Sequence, residues 1–167
     1  MNTRKTRLTL SVLLAVFLIA GVVTMPVAAA GNSSATGGGT TDEGGLKSTF
    51  VFNAVQKKDG TVTGHLVYHF RLLDVTIKYD LHELCVVGNV ATMSGVVTEV
   101  SGELPPFITW IFVGQDAVFQ VQDNGEGAGA DPDMFSDVFF YEGASCGTPP
   151  VEGFTLYLPV SGNIQVR

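Results

Sequence analysis

The residues best equipped for chemistry lie together at 123–133, Asp-Asn-Gly-Glu-Gly-Ala-Gly-Ala-Asp-Pro-Asp. Asp123, Asn124, Glu126, Asp131 and Asp133, with Asp137 just beyond, form the densest run of oxygen ligands in the chain. Calcium takes about six to eight oxygens from carboxylates, amides and carbonyls, in a loop able to wrap it. Gly125, Gly127 and Gly129 supply that freedom. The spacing is not that of an EF-hand loop, which alternates its ligands and closes on a Glu at about the twelfth position. Calcium is therefore a candidate ligand of these residues, set against a plainer reading. In that reading Asp123-Asn124-Gly125 is turn chemistry in a solvated hairpin loop. No other cofactor is expected.

Three further groups invite a chemical reading. Gly143-Ala144-Ser145-Cys146-Gly147 has the form of a nucleophile elbow, but Thr148-Pro149-Pro150 forbids the helix that must follow, and every histidine precedes Ser145. The match is read as chance, which leaves no catalytic residue. His65, His69 and His82, with Asp80, would meet on the polar face of neighbouring strands. A zinc site there is conceivable chemically, yet histidines on such a face are more often simply solvated. Phe107, Trp110 and Phe112 could line a hydrophobic mouth or a sugar-stacking surface. Core packing is the stronger expectation for aromatics in so small a domain. Sixteen acids also offer many accidental carboxylate pairs; acid/base catalysis needs one pair desolvated and positioned, which sequence does not display.

The elements that must position these groups are strands. From Thr49 the apolar period is 2, and no sustained period of 3.6 occurs after the leader. Gly60 suits the left-handed position of a three-residue hairpin loop. The resulting register pairs Phe52 with Leu66 and Phe50 with Tyr68, and a slip of one residue would set Phe52 beside His65. Phe50, Phe52, Ala54, Leu66, Tyr68 and Phe70 then share the core face, which Val75, Ile77, Tyr79 and Leu81 continue after a bend at 71–74. A turn at Gly88-Asn89 leads to a strand over 90–100 with a bulge or bend at Gly95. The aromatic segment 104–112 is expected as a strand, with a short helix opened by Pro105-Pro106 as the alternative. Strands over 117–122, 134–141 and 154–158 follow, and Ser161-Gly162-Asn163 turns into a last strand at 164–166. About eight or nine short strands at hairpin spacing specify an all-β domain. The expected architecture is a single antiparallel β-barrel, a meander with its last strand beside its first; a β-sandwich is the alternative.

The organisation before Thr49 reads differently. Arg4, Lys5 and Arg7 precede residues 8–23, which are apolar except for Thr9, Ser11 and Gly21. A Pro and the small residues Ala28-Ala29-Ala30 follow, the pattern of a secretory signal peptide over residues 1–30 rather than of an anchor. No Cys lies at the cut and no twin Arg precedes the apolar run, so neither a lipid anchor nor that alternative route is indicated. Residues 31–45 lack any large apolar side chain and are expected to be a flexible Gly/Ser/Thr tether. They include a sequon at Asn32-Ser33-Ser34, which matters only in a host that glycosylates exported proteins. The single β domain would then occupy 46–167.

Removing the leader takes away three of nine basic residues and none of the sixteen acids, which leaves a formal charge of −10. Without clustered Lys or Arg the chain is not equipped to bind nucleic acid, and anionic membranes are disfavoured. A secreted monomer is expected. In an exported chain the two cysteines, Cys85 and Cys146, read as one disulfide. Closing a loop of that length stabilises a fold by about 4 kcal/mol in the chain-entropy model.

Phe52-Asn53-Ala54, Asp59-Gly60-Thr61-Val62-Thr63-Gly64-His65, Cys85-Val86-Val87-Gly88-Asn89, Asp123-Asn124-Gly125-Glu126-Gly127 and Val138-Phe139-Phe140 fall in this order. In that set the chain resembles a family of small, exported, uncharacterised prokaryotic β-proteins. The resemblance runs from about Phe50 to the C-terminus and is most specific at Asp-Asn-Gly-Glu-Gly. It implies export, a β fold and the Cys pair, and it carries over no activity. Two functions remain as expectations. One is a non-catalytic exported module that binds a ligand, a surface or a partner, with or without calcium. The other is a small secreted hydrolase working through the loop carboxylates.

Overall fold

The computed structural model describes residues 32–148, 150, 154 and 157–167. The expected signal peptide lies outside these. The fold is all-β, with no helix among the described residues. Six long antiparallel strands form a meander: β1 (Ser34–Glu43), β2 (Leu46–Gln56), β3 (Val62–Phe70), β4 (Val75–Val87), β5 (Val90–Ser101) and β6 (Asp116–Gln122). The short strands β7 (Met134–Ser136) and β8 (Phe139–Phe140) both return along β6. A final run supplies β9 (Tyr157–Pro159) against β7 and then β10 (Ser161–Val166) against β1. That change of partner at Val160 wraps the sheet into a nearly closed barrel.

The expected register between β2 and β3 is observed, with Phe52 opposite Leu66 and Phe50 opposite Tyr68. Gly60 adopts a φ of 84°, as its turn requires. The inward side chains fill the barrel. Phe135 packs at 4.2 Å from Phe50, 5.3 Å from Phe119 and 5.8 Å from Tyr68, measured between ring centroids. Leu66, Ile77, Tyr79, Met93 and Ile164 are fully buried around this cluster. His65 and His82 point to solvent and His69 is half-buried. Gly95 carries no bulge of its own. One irregularity is on β4, between Leu81 and Glu83, with Gly95 opposite Leu81; a second lies on β5 at Thr98, between the partners of Lys78 and Tyr79.

Four expectations need correction. The tether is a strand: residues 34–43 pair with β2 on one side and β10 on the other, so the domain begins before Leu46. Its glycines are needed for close approach and do not mark flexibility. A Cβ on Gly39 would sit 2.5 Å from Val160 Cγ1, and one on Gly162 would sit 2.1 Å from the Gly38 carbonyl oxygen. The aromatic segment 104–112 is neither strand nor helix but an irregular loop between β5 and β6. The strand expected over 134–141 is broken between β7 and β8 at Asp137 and Val138. Residues 161–163 are part of β10 rather than a turn, while the preceding strand over 154–158 falls partly outside the described residues.

Alternation of strand direction sorts the loops between two ends. The upper end carries the β1–β2 turn, the β3–β4 loop and the aromatic loop. The lower end carries the β2–β3 hairpin, Gly88-Asn89 and the acidic loop. If β1 is a stave, deleting residues 34–45 removes ladder partners from both β2 and β10. The expected outcome is loss of the cooperative unfolding transition by circular dichroism, whereas trimming a tether would leave the melting midpoint unchanged.

Candidate functional site

The acidic loop emerges from β6 and crosses the seam below the point where the last run leaves β7. On that lower stretch β10 bonds β1 along one edge and has no strand on the other. Edge N–H groups left unpaired inside a protein are costly. Asp133, buried, accepts the Ile164 N–H with Oδ2 at 2.7 Å and the Asn124 N–H with Oδ1 at 2.9 Å. Asp123 accepts the Val166 N–H with Oδ2 at 3.0 Å and the Gly125 N–H with Oδ1 at 2.9 Å. The two carboxylates thus stand in for a strand and close the barrel from its open side.

Other candidates of the loop reinforce this clasp. Asn124 donates from Nδ2 to the Pro132 carbonyl at 2.6 Å and accepts from Gln122 at 2.9 Å. Glu126 accepts from Gln165 at 3.0 Å and Asn163 at 3.3 Å, so it reaches across the same seam. Asp131 is exposed and forms one wall of a shallow polar groove of about 410 Å³ with Glu126, Asp133 and Asn163. Among the described residues no three His, Cys, Asp or Glu side chains gather in a geometry that could hold a metal. A calcium ion at Asp123 or Asp133 would have to share oxygens already accepting backbone hydrogen bonds.

Asp137 belongs to a different environment. It lies near the buried rings inside the barrel, and burial pushes its carboxyl above the ordinary 3.8; the Val138 N–H opposes this and Glu43 adds to it. The histidines do not assemble with Asp80. His65 faces Asp80 across β3 and β4, whereas His69 bonds Thr76 at 3.0 Å and approaches Asp74 at 3.9 Å.

The elbow-like segment is a loop lying on the outer face of β4 and β5. Cys146 is bonded to Cys85, with Cα atoms 5.7 Å apart. Glu83 anchors the loop by accepting the Cys146 N–H at 2.9 Å. Burial alone would raise the Glu83 carboxyl, but hydrogen bonds from Ser94, Ser145 and Cys146 outweigh it and hold the group low. Ser145 is therefore engaged with a carboxylate and with the Gly147 N–H, and it forms an isolated bridge to Thr148.

The aromatics expected in the core are outside it. Phe107 is 74% exposed, Trp110 51% and Phe112 52%, and the neighbouring Val113 is 61% exposed. Ile111 is buried and Leu104 and Ile108 pack against the core, so the loop is pinned by its aliphatics while its rings face out. At the same end Leu46 and Leu72 are 54% and 74% exposed. Sequence reasoning did not single out these leucines; the signal was the pair Leu72-Leu73 in a bend whose neighbours are charged.

Two outcomes test this geometry. Asp133→Ala leaves two backbone N–H groups without acceptors, one of them buried, and is expected to cost about 2–4 kcal/mol in urea unfolding; a loss below that of an ordinary surface change would contradict the clasp. Asp137 holds its proton more tightly folded than unfolded, so it subtracts stability as pH rises above its ordinary value and through its raised one. Asp137→Asn should therefore be more stable than the parent at pH 7, with the difference closing by pH 3.

No family model matches the sequence, and no curated protein and no solved structure matches the chain.

Proposed function

We propose that the protein is a non-catalytic exported binding module that engages a partner protein through the aromatic loop at its upper end. The observation that carries this reading is the exposure of Phe107, Trp110, Phe112 and Val113 on one loop. Residues 104–113 contain no charged side chain, while Glu103 and Asp116 stand close on either side. An uncharged aromatic centre with a polar surround is the composition of a protein–protein interface, where Trp and Phe supply most of the energy. The acidity of the chain disfavours anionic lipid as the counterpart. The barrel interior is filled by side chains, which directs attention to the ends and not to a lumen running through the fold. The disulfide is compatible with an oxidising, extracellular setting.

The other reading, a hydrolase working through loop carboxylates, loses support because Asp123 and Asp133 accept backbone hydrogen bonds that close the barrel. No cofactor is assigned to the module.

The test replaces Phe107 or Trp110 by a photo-crosslinking residue in the producing cells. One discrete protein adduct is expected, lost when the remaining aromatics of the loop are changed to Ser. The double variant Phe107→Ser, Trp110→Ser should keep its stability within about 0.5 kcal/mol, as exposed positions do. A blue shift of Trp110 fluorescence on phosphatidylcholine or phosphatidylglycerol vesicles, with no protein adduct, would replace the partner protein by a membrane and overturn the proposal.

A further inference from the structure

At the opposite end from the aromatic loop, the barrel wall is split between β3 and β4. These strands pair from Phe70 with Val75 down to Gly64 with Leu81, and there the ladder stops. The irregularity at His82 accounts for the stop, because a bulge bends its strand away from a neighbour. β4 runs on to Val87 paired with β5 alone, and Val62 and Thr63 of β3 pair with β2 alone. A groove of about 250 Å³ opens between the two banks. Val62 and Leu84 line it from the core side, and Glu83 and Cys85 line it from the outer side. A hollow on one face of an intact sheet is lined by one parity only. The groove therefore passes between the strands, and their backbone forms its banks.

Which backbone groups face the groove follows from the ladder on the other side of β5. The Asn89 carbonyl accepts the Asp123 N–H at 2.9 Å, and the Val97 N–H donates to the Gln115 carbonyl at 2.9 Å. The odd-numbered residues of this run thus turn to β6. Antiparallel strands alternate their bonds, so Val90, Thr92 and Ser94 turn to β4 and engage Val87, Cys85 and Glu83. The N–H and C=O groups of Leu84 and Val86 then point into the split, about 7 Å apart along the strand. This edge is held in place from two sides. Asn89 Nδ2 donates to the Asp123 carbonyl at 2.7 Å at its tip, and the Cys85–Cys146 bond fixes its middle. Edge strands are commonly blunted by Lys or Pro, and Leu84-Cys85-Val86-Val87 holds neither.

We infer that this edge binds an extended peptide segment, which adds a strand along β4 at Leu84 and Val86. Donors and acceptors repeated at two-residue strand spacing are matched by another extended backbone and not by a compact ligand. A strand lying in the split sends its side chains alternately to the two faces of the sheet. One set meets Val62 and Leu84, which pack with the core, and the other meets the exposed His82 and the outer-face Glu83. Glu83 is already engaged with Ser94 and Cys146, so the segment that fits alternates apolar and neutral polar residues. The β2–β3 hairpin stands as the opposite bank, where a second sheet would have to place its next strand. A single chain is therefore favoured over the edge of a second copy. Because edge pairing supplies the recognition, many sequences of this pattern can bind.

The experiment titrates the disulfide-bonded protein with acetyl-Thr-Val-Thr-Val-Thr-amide and follows backbone amides by NMR. In the free protein the Leu84 and Val86 amides should exchange with solvent faster than those of Cys85 and Val87. Peptide should cause saturable shifts centred on Val62, Leu84 and Val86, and should slow exchange at Leu84 and Val86. The same peptide N-methylated at every residue should bind about ten-fold more weakly, as the loss of backbone hydrogen bonds requires. Val86→Pro removes an N–H on the groove side alone and should weaken binding about ten-fold, whereas Val86→Thr should bind like the parent. Should Val86→Pro fail to fold, the methylated peptide and the exchange rates decide the matter on the parent protein. The double variant Phe107→Ser, Trp110→Ser should bind peptide unchanged, so that failure here and failure of the aromatic-loop reading are told apart. Slow exchange at Leu84 and Val86 in the free protein, or equal binding of the methylated peptide, would overturn the proposal. Protection of these amides that grows with protein concentration alone would seat a second copy on the edge and overturn it too.

Discussion

A barrel has to satisfy the backbone of every stave on both edges, and here the outer edge of the last stave is satisfied by side chains once the final run has left β7. The final run pairs with β7 through Tyr157–Pro159 and then with β1 through Ser161–Val166. Where it leaves β7 its outer N–H groups face no strand. Asp133 and Asp123 accept two of them, at Ile164 and Val166, and the Val160 N–H is accepted by the Asp133 carbonyl at 2.8 Å. A carboxylate accepting a backbone N–H makes a charge-assisted hydrogen bond, stronger than the amide pairing it replaces. The rest of the fold depends on this seam, because β1 is held in place by β2 and β10 and has almost no apolar side chain of its own.

The same constraint explains the unusual composition on either side of it. Gly37, Gly38 and Gly39 face Ile164, Asn163 and Gly162 in the β1–β10 ladder. Glycine weakens a strand through backbone entropy and the lack of a side chain to pack. Two neighbouring ladders and the close approach at Gly39 and Gly162 outweigh that cost here. The seam also brings the ends of the domain together: Ser34 and Arg167 exchange both backbone hydrogen bonds, at 2.8 and 2.9 Å.

Closing the barrel this way divides the surface into regions of different chemistry. The lower end is polar, and Asp123, Glu126 and Asp133 there are engaged in structure. One outer face carries the loop that Cys85–Cys146 and Glu83 hold against β4, and Thr92, Ser94 and Val118 are buried on that side of the sheet. The upper end is left with exposed rings and leucines. With the interior filled around Phe135, the recognition proposed through the aromatic loop falls to the exposed side chains of the upper end.

The sequence by itself determined the all-β class, the meander, the β2–β3 register and the pairing of Cys85 with Cys146. Each of these rests on short-range information: period-2 alternation, a glycine at a turn, or a count of two cysteines in a chain read as exported. It also located the acidic loop, because ligand-rich composition is visible without coordinates. Only the tertiary structure decided what that loop does, since the N–H groups that Asp123 and Asp133 accept lie 43 and 31 positions away along the chain, respectively. Likewise only the fold made a strand of residues 34–43, whose stability comes from neighbours and not from its own side chains. The aromatic loop was misread as core for a related reason. Phe107, Trp110 and Phe112 are as apolar as the buried rings, and which way they face depends on Ile111 taking the inward position, a choice fixed by packing and not by composition.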